Sequence, residues 1–448
     1  MDLARLDALY RDHLLDLDRR TAPLLAAAGY DALVIHSGSL KKRSDFDDQY
    51  WPLRPTPHFH HFIPLSEADC AILVRAGRRP KLFRPRITSF WEKPAKLEVD
   101  HFLSYFEVLE IDKPEEVKAH LPAVRVAFIG EDKARATSWG IPDEAQNPAT
   151  LVGPLDLLRA RKTAYEVECI AEASRIAALG HQAVLERFRA GDCSELDLHL
   201  AYLQATRQDD FETPYKNIVA LNANGATLHH ISYGKRPVAG QAQSLLLDAG
   251  ATFLGYCSDI TRTWAKGTGA AASAFTGLVE GVEKMQQRLC TDVALGKPYE
   301  ALHDEAHRQV GAILRDVGVV KGLSDEVMGK DGVSRAFFPH GLGHSLGLQC
   351  HDVGCALVKP KQENPYLRNT SIIAEGQVFT IEPGIYFIDG LLQPLREGPH
   401  ARDVDWKLVD ELATLGGVRI EDDLVVTGGS AVTRNLTREL LPVGGGPL

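Results

Sequence analysis

Four acidic residues and one histidine, supplied by four separated segments, constrain this chain more than any other feature: Asp248, Asp259, His344, Glu382 and Glu421. Carboxylates buried together repel and would take up protons unless cations join them. A pair of divalent metals brings enough positive charge to balance them, and a water shared by the pair has reason to ionise near neutral pH. A fold that uses these residues must bring all four segments to one point.

The segments read as strands and glycine-rich loops. Ser244-Leu-Leu-Leu-Asp248 and Tyr256-Cys-Ser-Asp259-Ile-Thr-Arg262 flank glycines 250 and 255 as the arms of a hairpin; antiparallel pairing would set Asp248 opposite Asp259. A single aspartate here would more often cap a turn, and the downstream donors are what argue for a site. Val378-Phe-Thr-Ile-Glu382-Pro-Gly-Ile-Tyr386 puts a carboxylate at the end of an apolar strand. Arg419 and Glu421 are two residues apart, so a strand points both to one face, where Arg419 can orient a metal-bound carboxylate. The plainer alternative is an ion pair on a sheet surface. The segment Phe338 to Asp352 holds His340, His344 and His351 among glycines that permit close backbone approach. One imidazole can ligate metal while the others handle protons, although a lone histidine is commonly a satisfied core side chain. Oxygen-rich donors with one imidazole favour Mn, Co or Zn over copper, calcium or magnesium.

The chain has 448 residues, enough for two or three domains, and its formal net charge of -10 argues against a nucleic-acid partner. Residues 1–29 lack the apolar core of a signal peptide, and no long uninterrupted apolar run suggests a membrane span. Seven cysteines without a CxxC pair fit reduced thiols, hence a cytoplasmic location. Leu3, Leu6, Leu9, Tyr10, Leu14 and Leu17 are spaced as on a helix, Ala32 to Ile35 reads as a strand, and further apolar runs follow at 70–74 and 124–129. The Asn147-Pro148 and Gly153-Pro154 dipeptides suggest a domain boundary, and the border is placed near 157. An amphipathic helix over 162–189, closed by Gly191, opens the second region. Helices are expected near 193–208, 273–292 and 298–316, with strands at 244–248, 256–263, 377–382 and 417–426.

These segments, together with Ile35-His-Ser-Gly38, Phe46-Asp-Asp48, Phe90-Trp91, Thr213-Pro-Tyr215-Lys-Asn-Ile-Val-Ala-Leu-Asn222 and Leu228-His229, closely resemble the bacterial Xaa-Pro dipeptidases of the pita-bread metallopeptidase family, a group that includes organophosphorus acid anhydrolases. The resemblance spans nearly the whole chain. It implies an α+β protein: a mixed α/β N-terminal creatinase-like domain over 1–157 and a catalytic pita-bread (creatinase/aminopeptidase-like) domain over 158–448. It also implies two divalent metal ions, Mn first with Co or Zn as alternatives, a small Xaa-Pro dipeptide as substrate, and a homodimer.

By that resemblance Asp248 holds one metal, Asp259 and Glu421 bridge both, and His344 with Glu382 complete the second, Glu382 also passing the proton of the attacking water. His340 donates a proton or steadies the tetrahedral intermediate. Tyr215, His229, His351 and Arg419 surround the substrate, and Arg368 binds the free carboxylate of proline. Asp48 and Trp91 match positions that reach the neighbouring subunit's site, Asp48 facing the substrate amine. The chain departs from the family around Lys41 to Asp45 and after His229. An aminopeptidase P, trimming longer peptides, is the first alternative, and a non-catalytic binding module of the same fold the second. Phosphotriester hydrolysis is expected as a side reaction.

Overall fold

The computed structural model describes residues 2–86, 91, 97, 100–209, 211–238, 242–429 and 432–448. Phe90, part of the resemblance above, lies outside them. The chain divides into two units, one ending at Glu168 and the other beginning at Cys169.

In the first unit the helix Leu3–Ala27 starts where the Asp2 carboxylate accepts from the Ala4 and Arg5 amides, and it buries Leu6, Tyr10, His13, Leu17, Thr21 and Leu25. That three-to-four spacing places one apolar stripe on one face. A five-stranded mixed sheet runs in the order Glu107–Ile111, Lys81–Pro85, Ala71–Val74, Ala32–His36, Val126–Ile129, with parallel pairing at the two outer junctions. Pro154 lies within the helix Ala149–Ala160, whose Leu151 and Leu155 are buried. The burial of that leucine stripe outweighs the hydrogen bond that the proline forfeits.

The helix Ala164–Ala190 stops at Gly191, which has a φ of 78°. The second unit packs the helices Ala270–Thr291 and Tyr299–Asp316 into a large apolar cluster with Phe379, Ile381, Ile420 and Leu424. One sheet orders Gly445–Pro447, Thr261–Ala265, Ser244–Asp248 and Ile218–Leu221; another orders Val378–Ile381, Asp422–Val426 and Thr433–Asn435. The helices and the strands at 244–248 and 377–382 fall close to where their periodicity places them. The strands expected at 256–263 and 417–426 are each divided, into Tyr256–Cys257 and Thr261–Ala265 and into Val418–Arg419 and Asp422–Val426, and the hairpin register differs. Asp248 pairs with Thr261, and the same register continues to Thr252 and Cys257, which sets Asp259 across from Gly250. The two aspartates are therefore diagonal on one face, not directly opposite. The reversal occurs at Leu254-Gly255, both at positive φ (49° and 88°), one residue later than direct pairing would need. No helix among the described residues is long and apolar enough to cross a membrane.

Several histidines are walled into the second unit. His303 is 2% exposed, its Nδ1 has no hydrogen-bond partner, and its ring packs 4.6 Å from that of His307. Burial pushes its pKa from 6.5 down to about 4. The unfolded chain takes up this proton from pH 6.5 downward while the folded chain refuses it until about 4, so His303 costs stability as pH falls across that window, by up to about 1.4 kcal/mol per pH unit. Urea unfolding of the wild type and His303→Phe over this range should show the wild type losing ground progressively at acid pH. A constant difference would contradict the assignment.

Candidate metal centre

The site is assembled from strand ends. Asp248 closes one strand, Asp259 precedes its partner strand, Glu382 follows Val378–Ile381, and Glu421 precedes Asp422–Val426. Glu421 reaches the first sheet through its amide, which donates to the Thr261 carbonyl at 3.1 Å, and through its Oε2, which accepts from the Thr261 hydroxyl at 2.7 Å. His344 arrives on the glycine-rich loop. A Cβ at Gly343 would stand 2.2 Å from the Thr380 carbonyl, so only glycine lets the loop lie against the strand that leads to Glu382. The His344 amide donates to the Thr380 hydroxyl oxygen Oγ1 at 3.2 Å.

All five donors line one cleft of about 380 Å3, with His229, His340, His351, Arg368 and Arg419. His344 Nδ1 sits 3.1 Å from the Ser345 carbonyl, a contact that holds a hydrogen on Nδ1 and turns Nε2 inward as the ring atom that can give up its own proton to ligate a metal. Nε2 is 3.4 Å from Asp259 Oδ2, 3.6 Å from Glu382 Oε1 and 4.0 Å from Glu421 Oε1. Arg419 holds the far side, donating from Nη2 to Asp248 Oδ2 at 2.6 Å and from Nη1 to the Tyr386 hydroxyl at 2.9 Å. Arg419 and Glu421 do share a face, and the guanidinium orients a carboxylate of the site.

Two observations show that the donor set fits cations. Glu421 Oε1 is buried without any hydrogen-bond partner. The Tyr215 hydroxyl lies 2.7 Å from Asp248 Oδ1 and 2.5 Å from Asp259 Oδ1, yet its single hydrogen satisfies only one of them. Without a cation the cluster has to hold protons. Burial, reinforced by Asp259 and Glu382, raises the Glu421 carboxyl well above its usual range. Burial lifts Glu382 to about 7 against the pull of His344 and Arg419. One donor atom each from Asp259, His344 and Glu421 falls within 4.8 Å of the others, close enough to share an ion.

The other expected residues are placed as follows. His340 accepts at Nε2 from Tyr386 (2.9 Å) and donates from Nδ1 to the Gly341 carbonyl (2.8 Å). The His351 ring stands 4.3 Å from that of His344. Arg368 is exposed at the cleft. Tyr215 is part-buried, its hydroxyl occupied by the two aspartates. Asp48 and Trp91 belong to the first unit, both exposed. Sequence reasoning missed Tyr386, which links Arg419 to His340, and Asp423, whose carboxylate accepts from the Asp259 amide at 3.2 Å. The alternation in Glu421-Asp422-Asp423 was the available signal for the second: residues 421 and 423 share a face.

Residues 168–428 match metallopeptidase family M24. The chain belongs to that family. Residues 8–157 match the Xaa-Pro dipeptidase N-terminal domain. An Xaa-Pro dipeptidase from Marinobacter nauticus is 42% identical over 95% of this chain and 97% of its own length. One from Pseudoalteromonas atlantica is 38% identical over 98% and 99%. Among solved structures, proline aminopeptidase P II from Yersinia pestis superposes with a TM-score of 0.72 at 23% identity, covering 97% of this chain and 96% of its own. E. coli aminopeptidase P with the inhibitor Pro-Leu gives 0.73 at 22%, covering 97% and 95%. These likenesses establish the α+β pita-bread fold with its N-terminal domain. As an M24 member the chain takes divalent metal ions.

A proton held at Glu382 stabilises the metal-free protein below pH 4.5, and that contribution is lost as pH rises through about 7. Cations replace the proton, so the rise in melting temperature on adding Mn2+ to chelator-treated protein should be larger at pH 8 than at pH 6. Glu421→Gln, which replaces a carboxyl that must stay protonated without metal by a neutral amide, should melt higher than wild type in chelator at pH 8 and gain less from Mn2+. Equal gains at both pH values would mean that cations and protons do not compete here.

Proposed function

We propose that this chain is a dinuclear-metal dipeptidase that hydrolyses Xaa-Pro dipeptides and releases free proline. The observation that carries the reading is the convergence of Asp248, Asp259, His344, Glu382 and Glu421 on one cleft that also displays the cation of Arg368. Two divalent ions, manganese with cobalt or zinc as alternatives, would be held by Asp248, by Asp259 and Glu421 between them, and by His344 with Glu382; when bound they supply an activated water and a polarised carbonyl.

Glu382, a half-buried carboxylate poised to exchange a proton near neutrality, accepts the proton of the attacking water and returns it to the prolyl nitrogen as the bond breaks. Burial and Arg419 push the His340 pKa down to about 3, so the ring stays neutral; to steady the developing oxyanion, the role the resemblance gives it, the ring has to release its N–H from the Gly341 carbonyl. The chain Arg419, Tyr386, His340 fixes which ring nitrogen carries the hydrogen. His229, His351 and Tyr215 shape the surroundings of the substrate. Proline is accepted because its nitrogen offers no N–H for a pocket to demand. Arg368 forms no hydrogen bond or ion pair with the described residues and anchors the prolyl carboxylate.

The reading includes a homodimer, in which Asp48 and Trp91 reach across to the neighbouring subunit's site and Asp48 meets the substrate amine. It takes residues 1–157 as the N-terminal domain and 158–448 as the catalytic one. Seven free cysteines support a cytoplasmic location. A cation for one terminus and a carboxylate for the other measure the length of a dipeptide, which favours this reading over an aminopeptidase P. Phosphotriester hydrolysis rests on the resemblance alone and forms no part of the proposal.

Chelation should abolish Xaa-Pro hydrolysis and Mn2+ or Co2+ restore it, whereas Asp259→Asn should lose bound metal and activity together; metal and activity both retained would remove Asp259 from the centre. Losing the charged anchor in Arg368→Ala should cost about 1.5–3 kcal/mol, roughly ten- to hundredfold in kcat/KM on dipeptides. Unchanged dipeptide kinetics in that variant would favour an aminopeptidase P.

A further inference from the structure

One thiol touches an oxygen donor of the metal centre. Cys350 is partly exposed while the other six cysteines are buried. Its Sγ donates to Asp259 Oδ2 at 2.9 Å, the same oxygen that lies 3.4 Å from His344 Nε2. The His351 ring stands almost perpendicular to that of His344, at 78° with 4.3 Å between centroids. One ligating atom from each of His344, Cys350 and His351 falls within 4.8 Å of the others. A tetrahedral ion with sulfur at about 2.3 Å and nitrogen at about 2.0 Å sets its donors roughly 3.5 Å apart, so an inward shift on the order of 1 Å closes the triad. His351 is exposed and has room to make it.

We propose that His344, Cys350 and His351 form a second, soft cation site that takes a thiophilic d10 divalent ion and, by engaging His344, disables the oxygen-rich centre. This rests on His344 serving that centre, as argued above. Two imidazoles and a thiolate suit a soft ion, whereas the neighbouring carboxylates suit a hard one such as Mn2+. The two sites therefore select different cations while competing for one ring. Binding forms a sulfur–metal bond as the thiol proton passes to solvent, with no change of oxidation state.

Cadmium is the probe. Mn2+-loaded wild type titrated with Cd2+ should develop a near-ultraviolet thiolate-to-cadmium band, and activity should fall in step with it. Cys350→Ser, which keeps a hydroxyl donor to Asp259, should lack the band and need about tenfold more Cd2+ for the same fractional loss of its own activity. In the wild type alone, Cd2+ should protect Cys350 from alkylation, read by peptide mass spectrometry on Mn2+-saturated protein. An identical band in Cys350→Ser, or a Cys350 that alkylates at the same rate with and without Cd2+, would overturn the proposal. Absence of any Mn2+-dependent hydrolysis would instead sink the dipeptidase reading, since the band and the alkylation report the soft site without reference to activity.

Discussion

The repulsion among four crowded carboxylates, three of them buried and Glu382 half-buried, shapes the second unit around it. Asp259 and Glu421 are 4% and 2% exposed, and at that depth they are balanced by protons, by cations and by the few groups that reach them, Tyr215, Cys350 and His344 at Asp259 and Thr261 at Glu421. Arg419 is the one guanidinium bonded directly to a donor among the described residues, and it meets only Asp248. The opposite side of the cluster is left to His344, whose pKa is pulled up to about 9 by Asp259 and Glu382 despite burial. Charge is thus arranged asymmetrically, with a fixed cation at one end and an imidazole at the other, and the space between is suited to exchangeable ions.

Strand geometry keeps this crowding from spreading. In Glu421-Asp422-Asp423 the outer two side chains serve the site, Glu421 as a donor and Asp423 through the Asp259 amide. Asp422 turns to the other face, where Arg262 lies 3.0 Å away and Arg438 2.6 Å away, with Asn435 and Gln286 adding hydrogen bonds. Consecutive acids therefore live in two separate electrostatic environments, one awaiting cations and one already neutralised. Arg262 and Arg438 give the second environment its permanent charge balance.

Much of this was readable from the residues. Apolar runs ending in a carboxylate gave the strands before Asp248 and Glu382, and the two-residue spacing of Arg419 and Glu421 gave their shared face. The register of the Asp248–Asp259 hairpin was not readable, because it depends on which residue pair takes positive φ, and Leu254-Gly255 did so against the usual preference of leucine. The helix through Pro154 was not readable for a related reason: a proline disfavours a helix locally, while buried Leu151 and Leu155 favour one. Tyr386 and Cys350 were passed over because a phenol or a thiol carries no positional signal until its neighbours are known.

The sequence by itself determined the kind of chemistry, since residue types fix donor hardness and charge, and five hard donors with one imidazole among them admit few partners other than divalent ions. Only the tertiary structure decided which atoms meet: the diagonal placement of Asp248 and Asp259, the phenol shared between them, the unpartnered oxygen of Glu421 and the thiol pressed against Asp259. Those are separations of a few ångströms between residues up to 173 positions apart, as from Asp248 to Glu421, and they are set by sheet register and loop packing, which no local stretch of chain encodes.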